Sequence, residues 1–133
     1  MKTKMFGALF ILASFTLMLL GCAHEATNQS SSPNKGKVLV KQLPAGVEGV
    51  ELKDGALRLK PGFTFVKKPR HRFALVRISN GQGATTGGCG CTGGTCEPKL
   101  NSSGIIVCEG TNCTGSCGLA LTVRGVSTRI IEF

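Results

Sequence analysis

The chain has 133 residues, a length typical of one domain, with seven cysteines, nineteen glycines and a formal net charge of +9. It contains no Trp and no Tyr, so a sugar-stacking platform would depend on phenylalanine alone, which argues against a carbohydrate-binding module. The motifs of zinc proteases, serine hydrolases and P-loop nucleotidases are absent from the sequence, and an enzyme is therefore the weakest function class.

The first twenty residues have the order of a secretory signal. Lys2 and Lys4 form a short basic region, and residues 5–20 follow as an apolar run without a charge. Sixteen residues are few for a membrane-spanning helix, whereas a basic region before an apolar one is typical of an export signal. We therefore expect the chain to be exported.

The signal ends in Leu19, Leu20, Gly21 and Cys22, with a small residue directly before the cysteine. This tetrapeptide resembles the lipobox of bacterial lipoproteins, and all of residues 1–22 fit the resemblance. It implies a signal peptide of residues 1–21, a diacylglycerol thioether on Cys22 and, in most Gram-negative species, an amide-linked acyl chain such as palmitate. Two or three acyl chains anchor a protein durably. An ordinary signal peptide followed by a chance cysteine is the alternative.

Residues 22–36 are polar and rich in Ser and Asn, and this composition predicts an acylated, flexible tether. Ala23, where inner-membrane lipoproteins usually have Asp, favours the outer membrane by the usual bacterial sorting pattern. The predicted location is therefore the bacterial cell envelope, with the protein lipid-anchored and facing the periplasm or the cell surface.

The remaining cysteines lie in the glycine-rich segment 87–118, at Cys89, Cys91, Cys96, Cys108, Cys113 and Cys117. Eleven of the thirty-eight residues from Gly81 to Gly118 are glycine, so apolar side chains are too few to hold the segment. In an oxidising compartment, six cysteines predict three disulfides. The pairing stays open, except that Cys89 and Cys91 lie too close together to pair with each other.

A metal site is the alternative role of this cluster. The cysteine spacings match neither zinc folds nor iron–sulfur proteins, and we predict no metal and no cofactor. A Cys-x-Cys pair suits Cu(I), however, and Cys89 with Cys91 is the candidate for a reactive dithiol. The alternative function is therefore a periplasmic thiol-redox or copper-handling protein that uses the cysteine cluster.

Residues 37–133 read as a single β-rich domain, because apolar residues recur with period two. The sequence predicts short strands at 37–40, 50–53 and 56–59, of which the last two form a hairpin around Asp54-Gly55. Asp-Gly suits a type I′ loop, whose two central residues need positive φ. In this register Leu52 faces Leu57, and Glu51 faces Arg58.

Pro61-Gly62 favours a corner, after which residues 63–66 join a second sheet. Further strands are predicted at residues 73–78, the most apolar and hence central one, at 105–108, at 119–124 and at 128–133. No long helix is predicted in the mature chain. The predicted fold is mainly β: a small antiparallel sandwich or open barrel with a glycine-rich, disulfide-stapled segment.

A basic segment lies between two of these strands, and its candidate anion-binding residues are Lys67, Lys68, Arg70 and Arg72. Without Lys2 and Lys4 the mature chain has fourteen basic and seven acidic residues, a net charge of +7. An exported protein meets anionic lipid, lipopolysaccharide and wall polymers rather than nucleic acid, and its charge attracts it to such surfaces. A solvated hairpin loop that only keeps the edge soluble is the alternative.

Catalytic groups are sparse. Glu97 and Glu109 are the one pair of carboxylates worth testing as an acid–base pair, and His71 is predicted to belong to the exposed basic loop. The sequence thus favours a non-catalytic, lipid-anchored envelope protein with a structural or binding role. Its candidate partners are the membrane, reached through Cys22, and anionic envelope components.

Overall fold

The structure, a computed structural model of the chain, describes residues 36–133. The predicted signal peptide, the lipidation site Cys22 and the predicted tether up to residue 35 lie outside the described residues. None of the described residues belongs to a helix that is long and apolar enough to cross a membrane.

Ten strands form the described part of the chain, and it contains no helix, as the sequence predicts. In chain order they are β1 (Lys37–Val38), β2 (Val50–Lys53), β3 (Ala56–Leu59), β4 (Phe63–Lys68), β5 (Arg72–Arg77), β6 (Gly83–Gly90), β7 (Thr95–Leu100), β8 (Ile105–Thr111), β9 (Gly118–Val123) and β10 (Val126–Glu132).

The strands form two antiparallel sheets that do not close into a barrel. One sheet has six strands in the order β1-β10-β9-β6-β5-β4, and the other has four in the order β2-β3-β8-β7. The predicted mainly β, antiparallel, disulfide-stapled fold is confirmed. The chain passes from one sheet to the other after β1, β3, β6 and β8, so the sheets are connected repeatedly.

The β2–β3 hairpin has the predicted register, with Leu52 opposite Leu57 and Glu51 opposite Arg58. Its turn residues Asp54 and Gly55 both have positive φ, 53° and 75°, as a type I′ loop requires. The predicted corner at Pro61-Gly62 is also present, because β3 belongs to the four-stranded sheet and β4 to the six-stranded one.

Strand β5 is paired on both sides, by β4 and β6, which agrees with its apolar sequence. The strand ends at Arg77, one residue before the predicted end, and the side chain of Ile78 is 68% exposed. An isolated exposed apolar side chain of this kind is common in folded proteins.

Two strands were not predicted, β6 and β7, and both lie in or beside the glycine-rich segment. Strand β6 is central, paired with β5 and β9, although four of its eight residues are glycine. Strand β7 contains Pro98, which has no N–H to donate; β7 is the edge strand of its sheet, the position where proline is tolerated.

The core lies between the sheets. Its fully buried side chains come from both of them: Phe73, Leu75, Leu119, Leu121, Ile130 and Ile131 from the six-stranded sheet, and Val50, Leu57, Cys96 and Ile106 from the four-stranded sheet. Gly87 on β6 also faces inward, and the ring of Phe73 occupies the space that a Cβ at Gly87 would fill. The glycine is therefore part of the core packing.

We predict that Gly87→Ala destabilises the protein by about 1–3 kcal/mol, because the added methyl overlaps Phe73 and the backbone of Ala120. Gly83→Ala, on the same strand, is the matched control: no heavy atom lies within 4 Å of a Cβ there, and its stability should be unchanged or slightly higher. Urea unfolding measures both, and equal stabilities for the two variants would contradict this packing.

Candidate functional site

The three disulfides lie where the chain crosses between the sheets. Cys89 pairs with Cys108, Cys91 with Cys113 and Cys96 with Cys117, at Cα–Cα distances of 5.7, 5.8 and 5.9 Å. Among these six cysteines, the first three thus pair in order with the last three. As predicted, Cys89 and Cys91 do not pair with each other.

Two of these bonds connect the sheets directly. Cys89 on β6 is bonded to Cys108 on β8, and Cys96 on β7 is bonded to Cys117, which immediately precedes β9. Each bond closes a loop of about twenty residues, and the sequence separations are 19 and 21. Such loops contribute roughly 3 kcal/mol each to stability.

The third bond joins the two crossover loops. Cys91 begins the β6–β7 crossover and Cys113 lies in the β8–β9 crossover. The same loops are also hydrogen-bonded, because the backbone N–H and the side-chain hydroxyl of Thr114 both donate to the carbonyl oxygen of Thr92, at 2.9 and 3.0 Å. The crossovers therefore form one fixed unit.

The cysteine sulfurs are also close to one another beyond their bonds. The Sγ atoms of Cys91, Cys96 and Cys113 all lie within 4.8 Å of each other, and 3.6 Å separates Cys96 Sγ from Cys113 Sγ. In the disulfide form these sulfurs are not thiolates, so they bind no metal. Reduced, they would present three soft ligands at one point.

The basic segment forms the turn between β4 and β5. Its four cations lie in different surroundings. Lys67 points toward β7, and its Nζ lies 2.7 Å from Glu97 Oε2. Arg70, exposed at the tip of the turn, has a positive φ of 60°. Lys68 and Arg72 lie opposite each other at the ends of the two strands and point to the outer face of the six-stranded sheet.

Glu97 connects this turn to the four-stranded sheet. Besides Lys67, it contacts His71, whose Nδ1 lies 2.5 Å from Glu97 Oε1. The hydrogen bond from Lys67, and after it that from His71, lowers the pKa of Glu97, although burial acts in the opposite direction. His71 also accepts a hydrogen bond through its carbonyl oxygen from Cys89 N–H, at 2.9 Å.

Glu97 and Glu109 are direct cross-strand neighbours on β7 and β8. The carboxylate of Glu109, however, is paired with Lys99, and the pKa of Glu97 is lowered. A general acid needs a raised pKa, which Glu97 lacks. Both carboxylates are instead paired with basic side chains at the surface.

An open groove of about 880 Å³ runs across the outer face of the six-stranded sheet. Strand pairing aligns one row of residues along it: Lys68, Arg72, Gly88, Ala120 and Arg129. A second row, two residues farther along each strand, contains Val66, Ala74, Thr86, Thr122 and Ser127. The first row is cationic at both ends and small in the middle, and the second ends in three hydroxyls.

Arg129, on β10, was not predicted as a site residue. Its guanidinium lies across Gly118, in the space that a Cβ at that position would occupy, and its Nη1 is 3.5 Å from Glu132 Oε1. Among the described residues that line the groove, none is Asp or Glu. The groove therefore presents three cations, Lys68, Arg72 and Arg129, and no lining carboxylate.

Comparison with protein-family models, with curated proteins and with solved structures finds no match for this chain. Its function is therefore argued from the chemistry of the disulfide cluster and of the groove.

We predict that limiting dithiothreitol reduces Cys91–Cys113 before the other two disulfides. Cys91 and Cys113 are both half-buried, whereas Cys89 is half-buried but bonded to Cys108, which is 4% exposed, and Cys96 and Cys117 are only 1% and 5% exposed. Thiol exchange requires access to the sulfur, and only Cys91–Cys113 has two accessible cysteines. Alkylation followed by peptide mass spectrometry identifies the first thiols released, with the denatured and fully reduced protein as the control. First labelling of Cys89 or Cys108, or of Cys96 or Cys117, would contradict the prediction.

We also predict that Glu97 contributes to stability at neutral pH and that this contribution is lost in acid. Because the pKa of Glu97 is lowered in the folded protein, its stabilising contribution is fully present above the ordinary glutamate pKa. The contribution is lost as the pH falls from that ordinary pKa through the lowered pKa of the folded state.

Glu97→Gln should therefore reduce the loss of stability over that interval. Glu51→Gln, at an exposed glutamate on β2, is the matched control and should behave as the unmodified protein. Urea midpoints measured at several pH values test the difference, and the prediction fails if the two variants show the same pH dependence.

Proposed function

We propose that this protein is a non-catalytic, lipid-anchored component of the bacterial envelope that binds anionic envelope molecules. Its N-terminal segment and Cys22 resemble a lipoprotein signal and acylation site, and the mature chain has a net charge of +7. The anchor holds the protein at the membrane, most consistently the outer membrane given Ala23, and the folded domain carries the binding surface.

The observation that carries the binding role is the distribution of charge. Lys68, Arg72 and Arg129 come from three different strands and border a single groove. Within the described part of the chain, Lys68 and Arg72 have no ion-pair partner, and Arg129 has only the 3.5 Å contact to Glu132. Cations that are not neutralised and that converge on a concave surface attract anions more strongly than the same charges dispersed.

The β-sandwich supports this role by holding the groove rigid. Its floor belongs to strands paired on both sides, and Cys89, on the floor strand β6, is covalently fixed to the opposite sheet. A rigid site loses less conformational entropy when a ligand binds.

A second candidate, thiol exchange or binding of a soft metal in the periplasm, is favoured by the sulfur cluster. If Cys91–Cys113 were reduced, the Cys113 thiolate would lie 3.6 Å from Cys96 Sγ. It could then bond to Cys96 and release Cys117 as a thiolate, with an external dithiol as the reductant. Two or more reactive thiols in the native protein, or bound copper, would support this candidate; zero thiols supports the first.

The proposed function predicts acylation at Cys22 and retention on a polyanion. The full chain, expressed in a bacterial host and extracted in detergent, should have the mass of a protein that begins at Cys22 with its acyl groups, and it should bind phosphocellulose. Lys68→Gln/Arg72→Gln/Arg129→Gln should elute at clearly lower salt, because the groove loses its cations.

The matched control is Lys41→Gln/Lys53→Gln/Lys60→Gln, which removes the same charge from exposed lysines outside the groove. If both triple variants elute at the same salt concentration, only net charge matters and the groove is not the binding surface. A mass without acyl groups would refute the anchor.

A further inference from the structure

We propose that the groove on the six-stranded sheet holds one phosphate monoester group between the guanidinium groups of Arg72 and Arg129. This inference rests on the proposed function and adds the ligand class. The two side chains lean toward each other across the sheet, and the space between them is open.

The two arginines belong to strands that are far apart in the sheet but extend over neighbouring ones. Arg72 lies on β5 and Arg129 on β10, with β6 and β9 between them. Arg72 leans over β6, since its Cγ lies 3.3 Å from the position that a Cβ at Gly88 would take. The guanidinium of Arg129 lies over β9, in the space that a Cβ at Gly118 would take. The side chains therefore converge on the centre of the sheet from its two sides.

The gap between these two positions has the size of one small anion. Gly88 pairs with Ala120, and Gly90 pairs with Gly118. Gly88 and Gly118 are therefore diagonal neighbours, about 7–8 Å apart. A phosphate that accepts hydrogen bonds of about 2.8 Å from both sides can bridge a gap of this size. The space above Gly90, which lines the groove, is open, because no heavy atom lies within 4 Å of a Cβ there.

Two guanidinium groups that bind one anion select for the number of its oxygens. Each guanidinium binds phosphate through two parallel hydrogen bonds, so two of them that share one oxygen need three terminal oxygens. A phosphate monoester has three, whereas a phosphodiester or a carboxylate has two. The monoester also carries about −1.5 to −2 charges at pH 7, and Lys68, opposite Arg72, adds a third cation. The groove therefore favours a monoester.

Arg129 is positioned before an anion binds. The missing side chain at Gly118 leaves room for its guanidinium against the backbone. Glu132, which does not line the groove, makes its closest contact with Nη1, at 3.5 Å, so Nε and Nη2 can bind the anion. A guanidinium that is already held in place loses less conformational entropy on binding.

The site lies at the end of the sheet where the described chain begins. Lys37 pairs with Glu132, and Glu132 pairs with Gly118. Residues 23–36 number fourteen, and a chain of that length spans at most about 50 Å. An anchor at Cys22 would therefore keep the site within reach of lipid headgroups in the same leaflet, at a high effective concentration. The monoester can belong to such a lipid or to a soluble compound.

Calorimetric titration of the full chain in an uncharged detergent tests this inference with glycerol 3-phosphate, a monoester, and glycerophosphoglycerol, the matched diester. The monoester should bind at least about tenfold more tightly, because only it supplies enough oxygens for both guanidinium groups. Equal affinities for the two compounds would overturn the proposal.

Short-chain lipids with the same two headgroups identify the source of the monoester. Dihexanoyl phosphatidic acid is compared with glycerol 3-phosphate, and dihexanoyl phosphatidylglycerol with the soluble diester, which corrects for partitioning into the detergent. A larger gain for phosphatidic acid indicates a lipid headgroup, and equal gains indicate a soluble phosphate compound. Both results support the site, whereas tighter binding of phosphatidylglycerol than of phosphatidic acid would contradict it.

Arg129→Lys tests the paired hydrogen bonds separately from the charge. Lysine keeps the cation but lacks the planar pair of donors, so the affinity for the monoester should fall about tenfold while that for the diester changes little. Arg124→Lys, in the exposed β9–β10 turn, is the matched control and should change neither affinity. If Arg129→Lys keeps the full preference for the monoester, charge alone accounts for binding and the proposal is wrong.

Gly118→Ala tests the position of Arg129 without changing any charge. The added methyl displaces the guanidinium, which is the flexible end of its side chain, so the monoester affinity should fall severalfold while urea unfolding shows little change in stability. Gly83→Ala, where no heavy atom lies within 4 Å of a Cβ, is the matched control and should bind as the unmodified protein. Equal affinities for these two variants would count against the site. If Gly118→Ala unfolds the domain, Arg129→Lys alone decides.

The outcomes distinguish this site from the function on which it rests. Suppose that monoester and diester bind equally, but Lys68→Gln/Arg72→Gln/Arg129→Gln still elutes early from phosphocellulose. The monoester site would then be overturned, and the anion-binding function would stand. If that triple variant also eluted with its matched control, the proposed function would fail as well.

Discussion

The structure depends on covalent bonds between its two sheets, because the interior strand β6 contributes few apolar side chains to the core. Strand β6 lies in the middle of the six-stranded sheet, and four of its eight residues are glycine. An interior strand usually stabilises a sandwich by burying apolar side chains on its inner face. Here the disulfide from Cys89 to Cys108 joins β6 to the opposite sheet instead, and the two neighbouring disulfides fix the crossovers that flank it.

The same glycines shape the outer face. Alternation along a strand places Gly87 inward, beneath the ring of Phe73, and Gly88 outward on the groove floor. Replacing the outward glycines with ordinary β-formers would strengthen the sheet and fill the groove. The disulfides therefore compensate for the glycine-rich composition that also keeps this groove open.

The sequence could predict those features of the fold that depend on residues close together along the chain. The β2–β3 register follows from Asp54-Gly55 and from residues within four positions of that turn, so it was correct in every pair. Strands β6 and β7 lack apolar alternation. They form because they pair with strands and disulfide partners that are distant in sequence, and a local sequence pattern does not predict such contacts. Arg129 was missed for the same reason, since only the pairing β6-β9-β10 brings it to the groove that Lys68 and Arg72 border.

The basic turn shows why charge in a sequence does not by itself define a binding site. Lys67 and Lys68 are adjacent, but strand alternation sends them to opposite faces of β4. Lys67 is neutralised by Glu97 across the sheet interface and helps to hold the turn against β7, whereas Lys68 borders the groove. A segment that reads as one cationic cluster thus has two roles. The proposed binding surface consists of the cations that share a face, and its extent is set by the sheet rather than by proximity along the chain.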